Sequence, residues 1–209
     1  SVISAVFPVG CIVLIGFMKE LFDFITRRIP LNDEIRDFNQ SISKVKEIKK
    51  GDKLITEGQY VNKTYFVVDG CLRSYVYDIK GKEHTLQFAL KDHWISDYMA
   101  IFSKQKSTLI IESISDSIVI EASITEGIDN ICEKYPALEF LHRKSLEHYI
   151  VNLQKRILDQ LQLPALERYK LLLKKYKHIE EFALNYHIAS YLGITQQSLS
   201  RIRAETRSL

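Results

Sequence analysis

The sequence predicts an α+β fold, in which antiparallel strands are framed by helices and the chain ends in a helix-turn-helix. Three observations support this prediction. Short runs rich in Val, Ile, Tyr and Phe alternate with turn pairs between about 45 and 125. A long amphipathic segment occupies 137–162. Finally, 187–204 carries small, Gly and apolar residues at the spacing of two short crossing helices.

The first 17 residues are apolar and carry no charge. They are shorter than the roughly 20 residues of a membrane-spanning helix, and Pro8 and Gly10 interrupt them. They also lack the basic start of a signal peptide. We interpret 1–17 as an apolar extension, non-native or upstream of a natural start at Met18. The alternative is a membrane anchor that would tether the protein.

From Met18 the pattern becomes amphipathic and predicts helix over 18–45. Apolar residues recur at helical spacing at Leu21, Phe22, Ile25 and Ile29. Because Pro30 interrupts this pattern, a second short helix is predicted around 34–42.

Strand-like runs follow, namely LIT, TYFVVD, LRSYVYDI, HTLQFAL, STLIIESI and SIVIEA. The turn pairs near them are Gly51-Asp52, Glu57-Gly58, Asp69-Gly70 and Lys80-Gly81. Short strands with frequent turns favour an antiparallel sandwich or barrel over βαβ units.

The long segment 137–162 carries an apolar seam along one side. Its members are Leu138, Leu141, Leu146, Ile150, Leu153, Ile157 and Leu161. A helix with such a stripe needs a partner surface. Two interpretations stay open, which are packing on its own domain and a dimer seam. Pro164 ends this helix and begins the next, so we expect the domain junction at 161–164.

Charge is distributed unevenly along the chain. Residues 151–209 hold ten basic and five acidic side chains, a net charge of +5, whereas 1–150 has a net charge of −2. A basic C-terminal part beside a near-neutral remainder indicates an anionic partner for the C-terminal part.

The run HIASYLGITQQSLSRIRA at 187–204 fits a helix, a tight turn and a second helix. Ala189 is small where the helices would cross, and Gly193 suits the left-handed backbone that ends a helix. Thr195 is a good N-cap for the second helix. Leu199 and Ile202 would point into the core. This spacing of small, Gly and apolar residues is that of a helix-turn-helix.

The outward side chains of this second helix, 195–203, are polar or basic. Gln can pair with adenine and Arg with guanine in the major groove, while hydroxyls can hold phosphates. The candidate DNA-binding residues are therefore Thr195, Gln196, Gln197, Ser198, Arg201 and Arg203. The alternative is that they are ordinary solvated residues of a surface helix.

These elements, in this order, resemble the Crp/Fnr family of bacterial transcription regulators over essentially all of 18–205. The run IASYLGITQQSLSRIR is most similar to that of Bacteroidetes-type members. The resemblance implies a cyclic nucleotide-binding-type antiparallel β-roll, or jelly roll, as a sensor domain at 18–135. It implies a dimerisation helix at 136–162 and a winged helix-turn-helix domain at 163–209.

The resemblance also implies function. A cytoplasmic homodimer is expected to regulate transcription by binding double-stranded DNA, with RNA polymerase as a further partner. The DNA-contacting positions of the family fall on Gln196, Gln197 and Arg201. The first is usually basic and the second usually acidic in the best-known members, so a different operator sequence is expected.

In family members that bind cyclic AMP, an FGE stretch and an RS pair hold the ribose and the cyclic phosphate. The matching positions here are Ser96, Asp97, Ser107 and Thr108. Ser107 stands in place of the Arg that would pair with the phosphate. The resemblance therefore implies a degraded effector pocket, which takes another small molecule or none.

Other chemistry is weakly supported. The sequence has three Cys and no CxxC motif, and its His residues do not share one helix face. No nucleophile elbow, zincin motif or P-loop is present. We therefore expect no enzyme activity, no metal site and no cofactor. The alternative function is a ligand-sensing module that acts through protein–protein contact.

Overall fold

The computed structural model describes the backbone of residues 9–207 and the side chains of 16–206. Its helices are α1 (Val9–Thr26), α2 (Asp33–Ile42), α3 (Tyr98–Ser103), α4 (Ile128–Lys134), α5 (Pro136–Gln162), α6 (Ala165–Lys175), α7 (Ile179–Phe182), α8 (Asn185–Leu192) and α9 (Gln196–Arg207). Its strands are β1 (Ser43–Ile48), β2 (Lys53–Ile55), β3 (Lys63–Asp69), β4 (Leu72–Tyr77), β5 (Glu83–Ala89), β6 (Trp94–Ile95), β7 (Ile110–Ser113) and β8 (Ser117–Ser123).

The N-terminal helix begins earlier than the sequence predicts. Of the interpreted extension 1–17, residues 1–8 lie outside the described part. α1 then runs without interruption through Met18, so Met18 is not the first residue of the helix. Within residues 9–207, no helix is both long enough and apolar enough to cross a membrane.

The strands form two antiparallel four-stranded sheets with the orders β1-β8-β3-β6 and β2-β7-β4-β5. Ile55, Val67, Leu72, Ile111 and Val119 fill the core between them, since each is at most 1% exposed. The prediction of an antiparallel β-roll is therefore confirmed.

The sequence analysis did not predict strands β1 and β6. Residues 43–45 were expected to be helical, but β1 begins at Ser43 and pairs with β8, with Val45 opposite Ile120. A ladder to a strand 75 residues away in the chain outweighs the local helical pattern.

The outer face of the first sheet is covered by α1, α2 and the start of α5. Leu21 and Ile25 of α1 are buried with Phe66 and Ile120 of the sheet. Phe24 meets Phe66 edge to face, with ring centroids 5.0 Å apart. These contacts explain why β3 is apolar on both of its faces.

The α5 seam packs on its own domain only in the N-terminal part of the helix. Leu138 is buried, and Leu141 packs against the same cluster of α1, α2 and the first sheet. Ile150, Leu153, Ile157 and Leu161, at three- and four-residue steps, are 53%, 42%, 50% and 78% exposed. The C-terminal half of α5 therefore presents an uncovered apolar stripe.

The C-terminal helices α6–α9 share one hydrophobic cluster with the second sheet. Leu172, Ile188 and Leu199 are buried together with Cys71 and Phe88 of the strand region. No strand follows β8 in the described residues, so the wing of the predicted winged helix-turn-helix has no counterpart there.

Candidate nucleic-acid interface

Gly193 makes the turn between α8 and α9. It is left-handed, with φ 68° and ψ 33°, and its N–H donates to the Ser190 carbonyl at 3.2 Å. The next N–H, of Ile194, donates to the Ala189 carbonyl at 3.0 Å. This pair of bonds closes the end of α8 and redirects the chain, as the sequence predicts.

Thr195 begins α9. Its Oγ1 accepts a hydrogen bond from the Ser198 N–H at 3.1 Å, and the two hydroxyls lie 3.0 Å apart. The cap satisfies one of the free amides at the start of the helix. Leu199 and Ile202 are buried against the core that contains Ala189. The Thr195 cap and the burial of Leu199 and Ile202 thus fix the angle at which α9 leaves the turn.

The exposed face of α9 carries the candidate base-reading side chains. Gln196, Gln197 and Arg201 are exposed, and no side-chain hydrogen bond or ion pair within the described residues engages them. Ser198 is half-buried and, with Thr195, belongs to the cap. The structure therefore brings five of the six candidates to the first two turns of one helix, three of them with free side chains.

Arg203 is the exception and corrects the sequence-based assignment. Its guanidinium pairs with Glu180 at 2.7 Å and is 19% exposed. It also donates to Asn185 Oδ1 and, at 3.3 Å, to the Tyr169 hydroxyl. Because these partners come from α6, α7 and α8, Arg203 holds the C-terminal helices together rather than facing solvent for DNA.

Two of the four candidate effector residues, Asp97 and Ser107, bond to each other. Asp97 is 1% exposed, caps α3 by accepting from Ala100 N–H at 2.9 Å, and accepts from the Ser107 hydroxyl at 2.7 Å. Ser96 donates to the Lys63 carbonyl at 2.7 Å, and Thr108 is exposed. A phosphate in this place would meet a buried carboxylate without a guanidinium, which is electrostatically unfavourable.

Sequence reasoning missed the residues that join the helix-turn-helix to the sheet. Arg73 of β4 is 1% exposed and pairs with Glu83 at 2.6 Å and Glu112 at 2.7 Å. The ring of Tyr186, on α8, lies 5.5 Å from its guanidinium carbon. The charged Arg73 within a strand-like run was a signal in the sequence. Its partners could not be identified from the sequence, because they lie in other strands.

Arg156 of α5 is a second such residue. Its guanidinium donates to the Leu86 carbonyl, to the Thr85 carbonyl at 2.9 Å and to the Tyr191 carbonyl at 3.1 Å. It therefore connects α5 with β5 and α8.

No group of three or more His, Cys, Asp or Glu in the described part of the chain is arranged to hold a metal ion.

Comparison with known proteins identifies the sheet domain. Residues 45–135 match the family model of the cyclic nucleotide-binding domain. No protein of curated function matches the chain in sequence.

Solved structures match nearly the whole chain in fold. FixK2 from Bradyrhizobium japonicum has a TM-score of 0.66 at 17% identity, covering 80% of this chain and 85% of its own. A protein from Eubacterium rectale described as a Crp/Fnr-family transcriptional regulator has 0.66 at 16%, covering 85% and 84%. The c-di-GMP responsive global regulator CLP of Xanthomonas campestris has 0.65 at 12%, covering 83% and 90%.

Proposed function

From the premise that this chain has the fold of the Crp/Fnr transcription regulators and carries a cyclic nucleotide-binding domain, we propose that it regulates transcription by binding specific DNA sequences. The observation that carries the proposal is the exposed face of α9, where the side chains of Gln196, Gln197 and Arg201 form no hydrogen bond or ion pair with the described residues. In a helix-turn-helix, the N-terminal residues of the second helix contact base edges in the major groove.

The protein acts as a homodimer in this proposal. The exposed stripe of α5, formed by Ile150, Leu153, Ile157 and Leu161, supports it. Such a stripe is unfavourable in water and is stabilised by a second copy of the same helix. A two-fold pair of α9 helices would then read two half-sites of a near-palindromic operator.

The effector of the proposed regulator is not a cyclic nucleotide at the Ser96–Thr108 region. The bond from Ser107 to the buried Asp97 supports this proposal, because Ser107 stands where the family has the phosphate-pairing Arg and its hydroxyl is already engaged by Asp97. The same proposal gives the protein a bacterial cytoplasmic location and RNA polymerase as a further partner.

A DNA-binding experiment tests the proposal. Selection of binders from a random duplex library should enrich one sequence, which then serves as the probe in fluorescence-anisotropy titrations. Arg201→Gln should weaken binding to this probe by about tenfold or more, because a bidentate Arg–guanine contact contributes about 1–3 kcal/mol. Binding to an unrelated duplex should change much less.

Arg203→Gln is the matched control, since it removes the same charge from the same helix. Its Tm should fall because the ion pair with Glu180 and the hydrogen bond to Asn185 are lost, whereas the discrimination between selected and unrelated DNA should survive in the folded fraction. Failure to enrich any sequence, or equal loss of discrimination in both variants, would refute the assignment of α9.

A further inference from the structure

A cavity of about 350 Å³ lies between α5, α6 and α8. Five cationic side chains and one acidic side chain border it. The six are Lys155, Arg156, Asp159, Arg168, Lys174 and Lys175. The cavity is therefore strongly positive, and it is separate from both the exposed face of α9 and the Ser96–Thr108 region.

The cations of this cavity lack acidic partners. None of the five forms an ion pair within the described residues, although other basic residues of the C-terminal region do: Lys170 pairs with Glu167 and Arg203 with Glu180. The basic excess of 151–209 is thus concentrated beside α6 rather than on α9. This placement separates most of the excess from the proposed DNA contact.

Two arginines also leave buried donors unused. Arg168 donates one terminal nitrogen to the Gln160 carbonyl at 3.1 Å, but its Nε is buried without an acceptor. The Nε of Arg156 is likewise buried without an acceptor. A buried N–H without a partner is costly, and an anion in the cavity would stabilise both guanidinium groups electrostatically without contacting the enclosed Nε atoms.

Lys175 lies close to other positively charged side chains. Its pKa is lowered, first by desolvation and then by the nearby Arg156 and Lys155, while Asp159 opposes the shift. An anion in the cavity would favour the charged form of Lys175 and relieve this repulsion.

We propose that this cavity binds a small phosphorylated molecule with at least two negative charges. Mixed Arg and Lys side chains suit phosphate oxygens, because guanidinium forms bidentate bonds and ammonium supplies a compact charge. A volume of about 350 Å³ is within the range of small-ligand sites. The space between three helices of one chain admits a metabolite and excludes a duplex.

The ligand would bridge elements that belong to different parts of the fold. α5 carries Lys155 and Arg156, α6 carries Arg168 and Lys174, and α8 contributes Tyr191 to the lining. Binding would therefore fix the first helix of the helix-turn-helix against α5. The site goes beyond the proposed DNA-binding function and does not depend on it.

Calorimetric titration of the full chain with inorganic pyrophosphate, at low ionic strength, tests this site. One saturable site per chain is expected. Lys155→Gln and Arg168→Gln should each weaken pyrophosphate binding about tenfold. If Arg168→Gln fails to fold, Lys155→Gln still provides the test, because Lys155 is exposed and forms no ion pair with the described residues.

Two controls locate the anion. Lys170→Gln removes a charge from the same helix outside the cavity, and Arg201→Gln removes one from α9. Both should keep the pyrophosphate affinity within about twofold. The proposal is overturned if no saturable binding occurs at millimolar pyrophosphate, if all four variants weaken binding equally, or if Arg201→Gln abolishes it.

Discussion

Ser190 of α8 accepts a hydrogen bond at 2.8 Å from the backbone N–H of Thr85, a residue 105 positions earlier in the chain. The same hydroxyl donates to the Glu83 carbonyl, also at 2.8 Å. Thr85 and Glu83 belong to β5, the edge strand of the second sheet. The first helix of the helix-turn-helix therefore satisfies backbone groups that an edge strand would otherwise leave open.

This contact makes the position of the helix-turn-helix depend on the sheet domain. Arg156 satisfies two further β5 carbonyls beside it, those of Thr85 and Leu86. At Leu86 the pairing register of β4 and β5 shifts, because Ser74 lies opposite Gln87 while Tyr75 lies opposite Thr85. A change in β5 would thus be transmitted directly to α5 and α8.

Ser190→Ala should lower the free energy of unfolding by about 1–2 kcal/mol, because the Thr85 N–H loses its acceptor and the Glu83 carbonyl loses its donor. Urea denaturation followed by circular dichroism measures this. Ser200→Ala is the control, since Ser200 is exposed and bonds only within its own helix, to the Gln196 carbonyl. Equal stability of the two variants would show that the Ser190 bridge contributes nothing.

Gly70→Ala and Gly81→Ala separate backbone strain from steric collision. Both residues have positive φ, 88° and 75°. A Cβ on Gly81 would meet open space, whereas one on Gly70 would collide with Ser117 Oγ and lie 2.7 Å from the Asp116 carbonyl oxygen.

Gly81→Ala should cost about 1 kcal/mol from backbone strain alone. Gly70→Ala should cost about 1–3 kcal/mol more, because the backbone around Ser117 must shift. Chemical denaturation of both variants gives the difference. A Gly70→Ala protein as stable as Gly81→Ala would contradict the close approach of the turn to Ser117.

His187 should make stability fall in mild acid. It is 3% exposed, its Nδ1 accepts from the Leu184 N–H at 3.2 Å, and its Nε2 is buried without a hydrogen-bond partner among the described residues. Burial, followed by the charges of Arg73 and Lys50, lowers its pKa to about 3. Below about pH 6.5, His187 binds a proton in the unfolded chain but not in the folded chain. The free energy of unfolding therefore decreases as the pH falls toward 3.

His187→Gln keeps an acceptor near the start of α8 and removes this titration. Between pH 7.5 and 5.5, the wild-type protein should lose about 1 kcal/mol more unfolding free energy than the variant. Both proteins share the carboxylates and the other histidines, so the contributions of these groups to the pH dependence cancel in the comparison. Parallel pH profiles would mean that His187 titrates normally in the folded chain.

The apolar stripe of α5 should hold two copies together. Ile157→Lys places a charge in the stripe and should convert the protein from twice its 24.3 kDa chain mass to a single chain, because burying an unpaired ammonium in an apolar interface is costly. Light scattering coupled to size-exclusion chromatography measures the mass. His148→Lys, at an exposed position on the opposite side of the same helix, should leave the mass unchanged.

The helix-turn-helix was predictable because its determinants are local. Gly193 adopts the left-handed conformation that Gly accepts most readily, and Thr195 caps the helix within three residues. The longer strand-like runs were also recognisable from their β-branched and aromatic composition. β1 and β6 were not, because β1 continues a helical pattern and β6 has only two residues.

The sequence by itself determined the antiparallel sheet domain, the long helix and the second helix of the helix-turn-helix, since hydrophobic periodicity and capping act over a few residues. Only the tertiary structure decided which polar groups are free. Arg201 and Arg203 are two residues apart and alike in chemistry, but folding brings Glu180 and Asn185 to Arg203 alone. Likewise, packing on α1 and the sheet covers Leu138 and leaves Ile157 exposed. Such differences depend on contacts between distant segments, which local sequence patterns do not contain.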